Sequence, residues 1–171
     1  MSAGLMPLHV LNVGRFGLTI PMYAQNNLGG KTWPTANRAL YWPVHIPSPF
    51  LAARAFHCQA GNNTGNVDIG IYDINGNRLV STGSTARGST NVAQYIDITD
   101  TWLSPGDYYW AMVGSSTSGQ TNGVSASAPL LRADGCLKED LGATTLPSSM
   151  NPATFADADV IFMGFTQSAT L

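Results

Sequence analysis

Glutamate is almost missing from this chain of 171 residues: Glu139 stands alone, and lysine occurs only as Lys31 and Lys138. Helical domains draw heavily on both residues, so their scarcity argues against a helical fold. Charged residues make up 11% of the chain, against about a quarter in ordinary soluble domains. Ten acidic groups and eight basic ones leave a net charge of −2. That balance offers no basic surface to a phosphate backbone and argues against nucleic acid as the main partner. No apolar run reaches the length of about 18 residues that a membrane-spanning helix needs. Pro7, His9, Asn12 and Arg15 interrupt the apolar N-terminus, which has no positive charge ahead of it. It reads as no secretory signal. Two cysteines, Cys58 and Cys136, are too few for a disulfide framework. They read as two reduced, buried thiols, with a single bridge as the alternative.

What is present is the material of turns and short strands. Gly, Ser, Thr and Asn supply about a third of the residues. Leu40, Trp42, Val44 and Ile46 alternate with Ala39, Tyr41, Pro43 and His45, the period of a strand with one buried face. Pro43 has no N–H for a ladder, which predicts an edge position or a bulge. A second strand follows over Phe50–Gln59. Val67, Ile69 and Ile71 alternate next, and Asn75-Gly76 offers two positive-φ positions for a tight hairpin turn, with Arg78–Gly83 as the returning strand. The stretch 84–91 is polar. Val92, Gln94, Ile96 and Ile98 then alternate again, and Ser104-Pro105-Gly106-Asp107 fits a type II turn. Tyr108–Val113 is apolar on both faces and predicts a central strand covered on both sides. Val124–Arg132 reads as a further strand, Asp134–Ala156 as loop with at most a helical turn, and Val160–Phe165 as a last strand. About eight short strands indicate an all-β fold, a two-sheet antiparallel sandwich of jelly-roll type.

Residues 1–30 read as an N-terminal extended arm and linker, and 31–171 as the sandwich. Phe16, Leu18, Ile20 and Met22 alternate in the arm, and Asn26-Asn27-Leu28-Gly29-Gly30 forms the linker. An extra edge strand of the same sandwich is the alternative.

The chemistry-bearing residues have structural explanations. His9, His45 and His57 show no spacing that gathers zinc ligands, so no metal or cofactor is expected. Asp73, Asn75 and Asn77 open like a calcium loop, but Arg78 stands where glycine is needed and Ser84 where a bidentate glutamate is needed. Asp68, Asp73, Asp97, Asp100 and Asp107 are candidates for a glycosidase pair. Their placement at strand ends and turns has the simpler cause that aspartate bonds nearby backbone. No catalytic residues are assigned. Trp42 and Trp110 read as core. Trp33 and Trp102 lie in or beside loops, where an indole serves a glycan platform or a protein interface.

The stretches Asn66–Thr85 (NVDIGIYDINGNRLVSTGST) and Leu103–Val113 (LSPGDYYWAMV) resemble the small jelly-roll domains of tailed-bacteriophage virion proteins, of head-decoration, tail and fibre type. The likeness spans roughly residues 38–165, and bacterial carbohydrate-binding modules show similar patterns. The resemblance implies a non-enzymatic structural protein of a virion, assembled in the host cytoplasm. Its partners would be other virion proteins, such as the major capsid or tail proteins, and copies of itself, a trimer first. A module recognising host-surface glycan is the alternative. Phe16, Leu18, Ile20 and Met22 of the arm, with Phe162 and Phe165 of the last strand, are the expected assembly contacts. That last strand is apolar on both faces, and one sandwich core needs only one of them.

Overall fold

Alternation in the strand segments resolves into two opposed sheets with a small third one beside them. The computed structural model describes residues 16–18 (backbone only), 29–154, 156–157 and 159–167. Of these residues 57% are strand and 4% helix, so the all-β expectation holds. Two strands come from the N-terminal segment, β1 (Phe16–Leu18) and β2 (Gly29–Thr32). Then follow β3 (Arg38–Ile46), β4 (Phe50–Cys58), β5 (Asn66–Asp73), β6 (Arg78–Ser81) and the short β7 (Thr85–Ala86). The long β8 (Ala93–Leu103) leads to β9 (Gly106–Gly114), β10 (Gln120–Ser125) and helix α1 (Ala128–Ala133). The chain closes with β11 (Leu137–Asp140), β12 (Ala153–Thr154), β13 (Asp159–Ile161) and β14 (Met163–Thr166).

One sheet runs β12–β11–β3–β9–β5–β6, with β7 also on β5; the sheet opposite runs β1–β14–β4–β8. The third, β13–β10–β2, joins the second where Gln59 bridges Thr121. Every strand pair among the described residues is antiparallel. Leu40, Trp42, Val44 and Ile46 of β3 and Val67, Ile69 and Ile71 of β5 face the space between the sheets, as their period predicts. Trp110 of β9 meets Phe165 of β14 edge-on, with centroids 4.9 Å apart and planes at 67°, an arrangement favoured by the ring quadrupoles. As expected, β9 is central and covered on both faces. Its outward residues Ala111 and Val113 join Tyr41, Tyr72 and Leu146 in a second apolar cluster. β3 is an interior strand rather than the expected edge strand, and Pro43 is accommodated because β11 pairs β3 only as far as Tyr41.

Several expectations are corrected. The Asn75–Gly76 hairpin forms, but only Gly76 has positive φ, at 85°. The Asp73 and Asn77 backbones pair (2.9 Å), and the Gly76 N–H reaches the Asp73 carbonyl (3.0 Å). This is a three-residue loop with a glycine bulge rather than a two-residue turn. Gly106 is the first residue of β9, paired with Ile46, instead of the third residue of a type II turn. Residues 128–132 are helical, not strand. Pro129 sits in the first helical turn, where its missing N–H costs nothing, and Leu131 is buried. Gly135, at φ +84°, ends the helix: Cys136 N–H bonds the Leu131 carbonyl and Gly135 N–H the Arg132 carbonyl, a Schellman closure.

The last strand is two. Phe162 interrupts it, its N–H on the Asn122 carbonyl and its carbonyl accepting from Cys58, so the chain passes from β10 to β4. Val160, Ile161, Met163 and Phe165 are all buried within the chain. The two apolar faces of this run therefore give no reason for a second subunit. Phe165 is a core residue rather than an assembly contact, because it fills the space below Trp110. Phe162 is half-buried and packs edge-on against Phe56. The boundary drawn after residue 30 falls inside β2, which pairs with β10. At the positions of Phe16 and Leu18 the backbone pairs with Thr166 and Gly164 of the same chain, the edge-strand alternative. Ile20 and Met22 lie outside the described residues.

Candidate functional site

Strand β8 positions the most exposed aromatic side chain among the described residues. It is the last strand of its sheet, so one side pairs with β4 and the other pairs with no strand among the described residues. Alternation sends Leu103 into the core opposite Phe50, and Trp102 outward opposite Leu51. The Trp102 residue is 71% exposed. Asp97 and Asp100 stand on the same strand, charges of the kind that discourage unselective edge pairing. Asp97 is held by Arg54 of β4 at 2.6 Å.

Trp33, the other indole proposed for surface work, is 1% exposed. Its Nε1–H donates to the Arg38 carbonyl at 2.8 Å, and its ring lies on the backbone of Gly114. A glycan platform needs an open ring face, and Trp33 has none. Trp42 and Trp110 are core, as expected.

The acidic candidates are spread over separate tasks. Both carboxylate oxygens of Asp73 accept from Asn77, one from its side chain and one from its N–H. These bonds hold the Asp73 carboxyl below its ordinary range, and the turn explains the residues that resemble a calcium loop. Asp68 is buried on the outer face of β5 and accepts from Leu146 N–H and Thr82 Oγ1. Burial raises its pKa. Asp107 accepts from His45 Nδ1 at 2.8 Å across the β3–β9 pair. Among the described residues no three His, Cys, Asp or Glu side chains gather where they would hold a metal ion. Cys58 and Cys136 are free thiols, and burial pushes them up to about 11 and about 12. His9 lies outside the described residues.

A polar cluster that sequence reasoning missed closes one end of the sandwich. Arg87 is buried, and its Nη1 donates to Gln59 Oε1 (3.0 Å), Thr121 Oγ1 (2.8 Å) and the Gln120 carbonyl (3.3 Å). His57 is also buried, with Nε2 2.9 Å from Gln94 Oε1. That oxygen also accepts from Gly88 N–H, so Nε2 carries the imidazole proton. A single arginine in a polar stretch gives no sequence signal that it turns inward.

The geometry thus provides one exposed aromatic on an open edge and one buried polar cluster. No known protein family matches this chain, and no curated protein matches it in sequence.

Proposed function

We propose that this chain is a non-enzymatic structural protein of a bacteriophage virion, a jelly-roll sandwich binding coat components as a head-decoration or tail-associated subunit. The observation that carries the binding role is Trp102, exposed on the unpaired edge of β8 in a chain that buries its other three indoles. Exposed aromatics of this kind anchor protein interfaces. The resemblance of Asn66–Thr85 and Leu103–Val113 supports the virion setting. A homo-oligomer, a trimer first, follows if the same edge binds further copies.

A carbohydrate-binding module for host-surface glycan is the second reading. The same indole favours it, with the exposed carboxylate of Asp100 nearby in sequence to bond sugar hydroxyls. Native mass spectrometry and a glycan array, each run on the wild type and Trp102→Ala, separate the two. The virion reading expects an oligomer weakened in the variant and an array without signal. Glycan binding that is lost in the variant supports the second reading instead, and a variant unchanged in both assays contradicts both.

A further inference from the structure

Between Val80 and Leu103 the only buried residue is Arg87, so it is the one side chain of the polar segment 84–92 that enters the sandwich. The anchor enters a cluster of neutral acceptors, Gln59 just after β4 and Gln120 and Thr121 of β10. Its Nε and Nη2 are buried without a hydrogen-bond partner. The segment is also tied by the pairing of β7 with Asn66 and Val67 of β5, by Asn63 Nδ2 on the Gly88 carbonyl, and by the backbone bonds Asn91 N–H to the Ala60 carbonyl and Gln59 N–H to the Val92 carbonyl. Arg87 N–H donates to the Gly65 carbonyl, Gly88 N–H donates to Gln94 Oε1, and Gln94 Nε2 donates to the Ala86 carbonyl. Gln94 is also the cross-strand partner of His57. Of the residues that hold the segment, Arg87 sits beside this imidazole and Gln94 bonds to it.

The surroundings of His57 favour its neutral form. β8 brings the uncharged Gln94, β14 sets Met163 opposite on the other side, and β10 contributes Thr121 to the same cluster. The charge acting on the ring is Arg87, a like charge to imidazolium. His57 Nδ1 is buried and without a partner. Burial, with the Arg87 charge adding to it, pushes the imidazole down to about 4.

We propose that His57 and Arg87 form an acid-sensitive latch: protonating the imidazole sets a second cation against the guanidinium in a closed interior, and segment 84–92 lifts from the sandwich end. Lifting the segment unpairs β7 from Asn66 and Val67 of β5, while β3 and β9 stay closed, because the hydrogen bonds that His57, Arg87 and Gln94 make within the cluster do not reach them.

Amide hydrogen exchange at Arg87 and Gly88, corrected for the intrinsic pH dependence of exchange, tests this. With the imidazole at about 4 in the closed state and at its ordinary value of about 6.5 when open, protection falls about twentyfold from pH 7 to pH 5. Amides of β3 and β9 keep their protection. In His57→Gln, whose side-chain amide still donates to Gln94 and does not titrate, the fall disappears. Equal protection at both pH values overturns the latch, as does the same fall in His57→Gln. A fall shared by β3 and β9 also overturns it, since that is global unfolding. Should the variant fail to fold, titration of the wild-type imidazole by NMR decides: a midpoint near 4 supports the latch, and one near 6.5 with the segment still protected overturns it.

Discussion

Asp68 holds Leu146 by its backbone N–H at 2.8 Å, across 78 positions of the chain. The Leu146 carbonyl accepts from Arg78 Nη1, so both polar groups of one peptide-chain residue are tied to the β5–β6 hairpin. Tyr72 donates its hydroxyl to the neighbouring Pro147 carbonyl at 2.6 Å, and Thr144 donates to Asn37 Oδ1 at 2.7 Å. Residues 141–150 are thereby strapped over the outer face of the larger sheet. They cover Tyr41 and Tyr72, which meet edge-on at 5.4 Å.

Replacing Asp68 by Ala leaves the Leu146 N–H buried and unpaired. The expected loss of stability is about 1–3 kcal/mol. Urea unfolding reads it as a lower midpoint with an unchanged slope, and an unchanged midpoint contradicts this role for the strap.

Trp33 and Trp102 should differ sharply under truncation. Trp33→Ala opens a cavity in the core and costs about 3–5 kcal/mol. Trp102→Ala removes a ring that stands in solvent and shifts stability by less than about 0.5 kcal/mol. Equal losses in thermal or urea unfolding would remove the division between a core indole and a surface one.

Gly76 combines a φ of +85° with a position where an added Cβ lies 2.8 Å from Met150 Cγ. Gly76→Ala therefore costs at least about 1 kcal/mol and loosens residues 148–150 from the hairpin. Hydrogen exchange at Met150, whose N–H bonds the Gly76 carbonyl, should accelerate in the variant. Unchanged exchange and stability would contradict the close approach.

How far the sequence was legible follows from which forces are local. The strands around Leu40–Ile46 and Val67–Ile71 announce themselves because their side chains alternate against one core, and Tyr108–Val113 because it is apolar on both faces. Helix α1 escapes notice because Val124, Ala126, Ala128 and Leu130 repeat every second residue, as a strand would. Only the Pro129 start and the Gly135 stop mark it, and those are capping signals rather than periodicity. Trp33 before Pro34 looks like a loop indole, and its burial depends on Gly114, which lies far along the chain. Arg87 is hidden for the same reason. Nothing near it in sequence marks it as buried, and its acceptors are Gln59, just after β4, and two residues of β10. Trp102 is legible as a candidate because it stands beside the Ser104-Pro105-Gly106-Asp107 turn.

The virion proposal is tested most directly by quantitative mass spectrometry of phage particles purified from the source of this chain. The account predicts the chain in the particles at a fixed ratio to the major coat protein, in many copies for a head-decoration subunit and few for a tail one. Particles that are complete and infective without the chain in any fixed amount would contradict it.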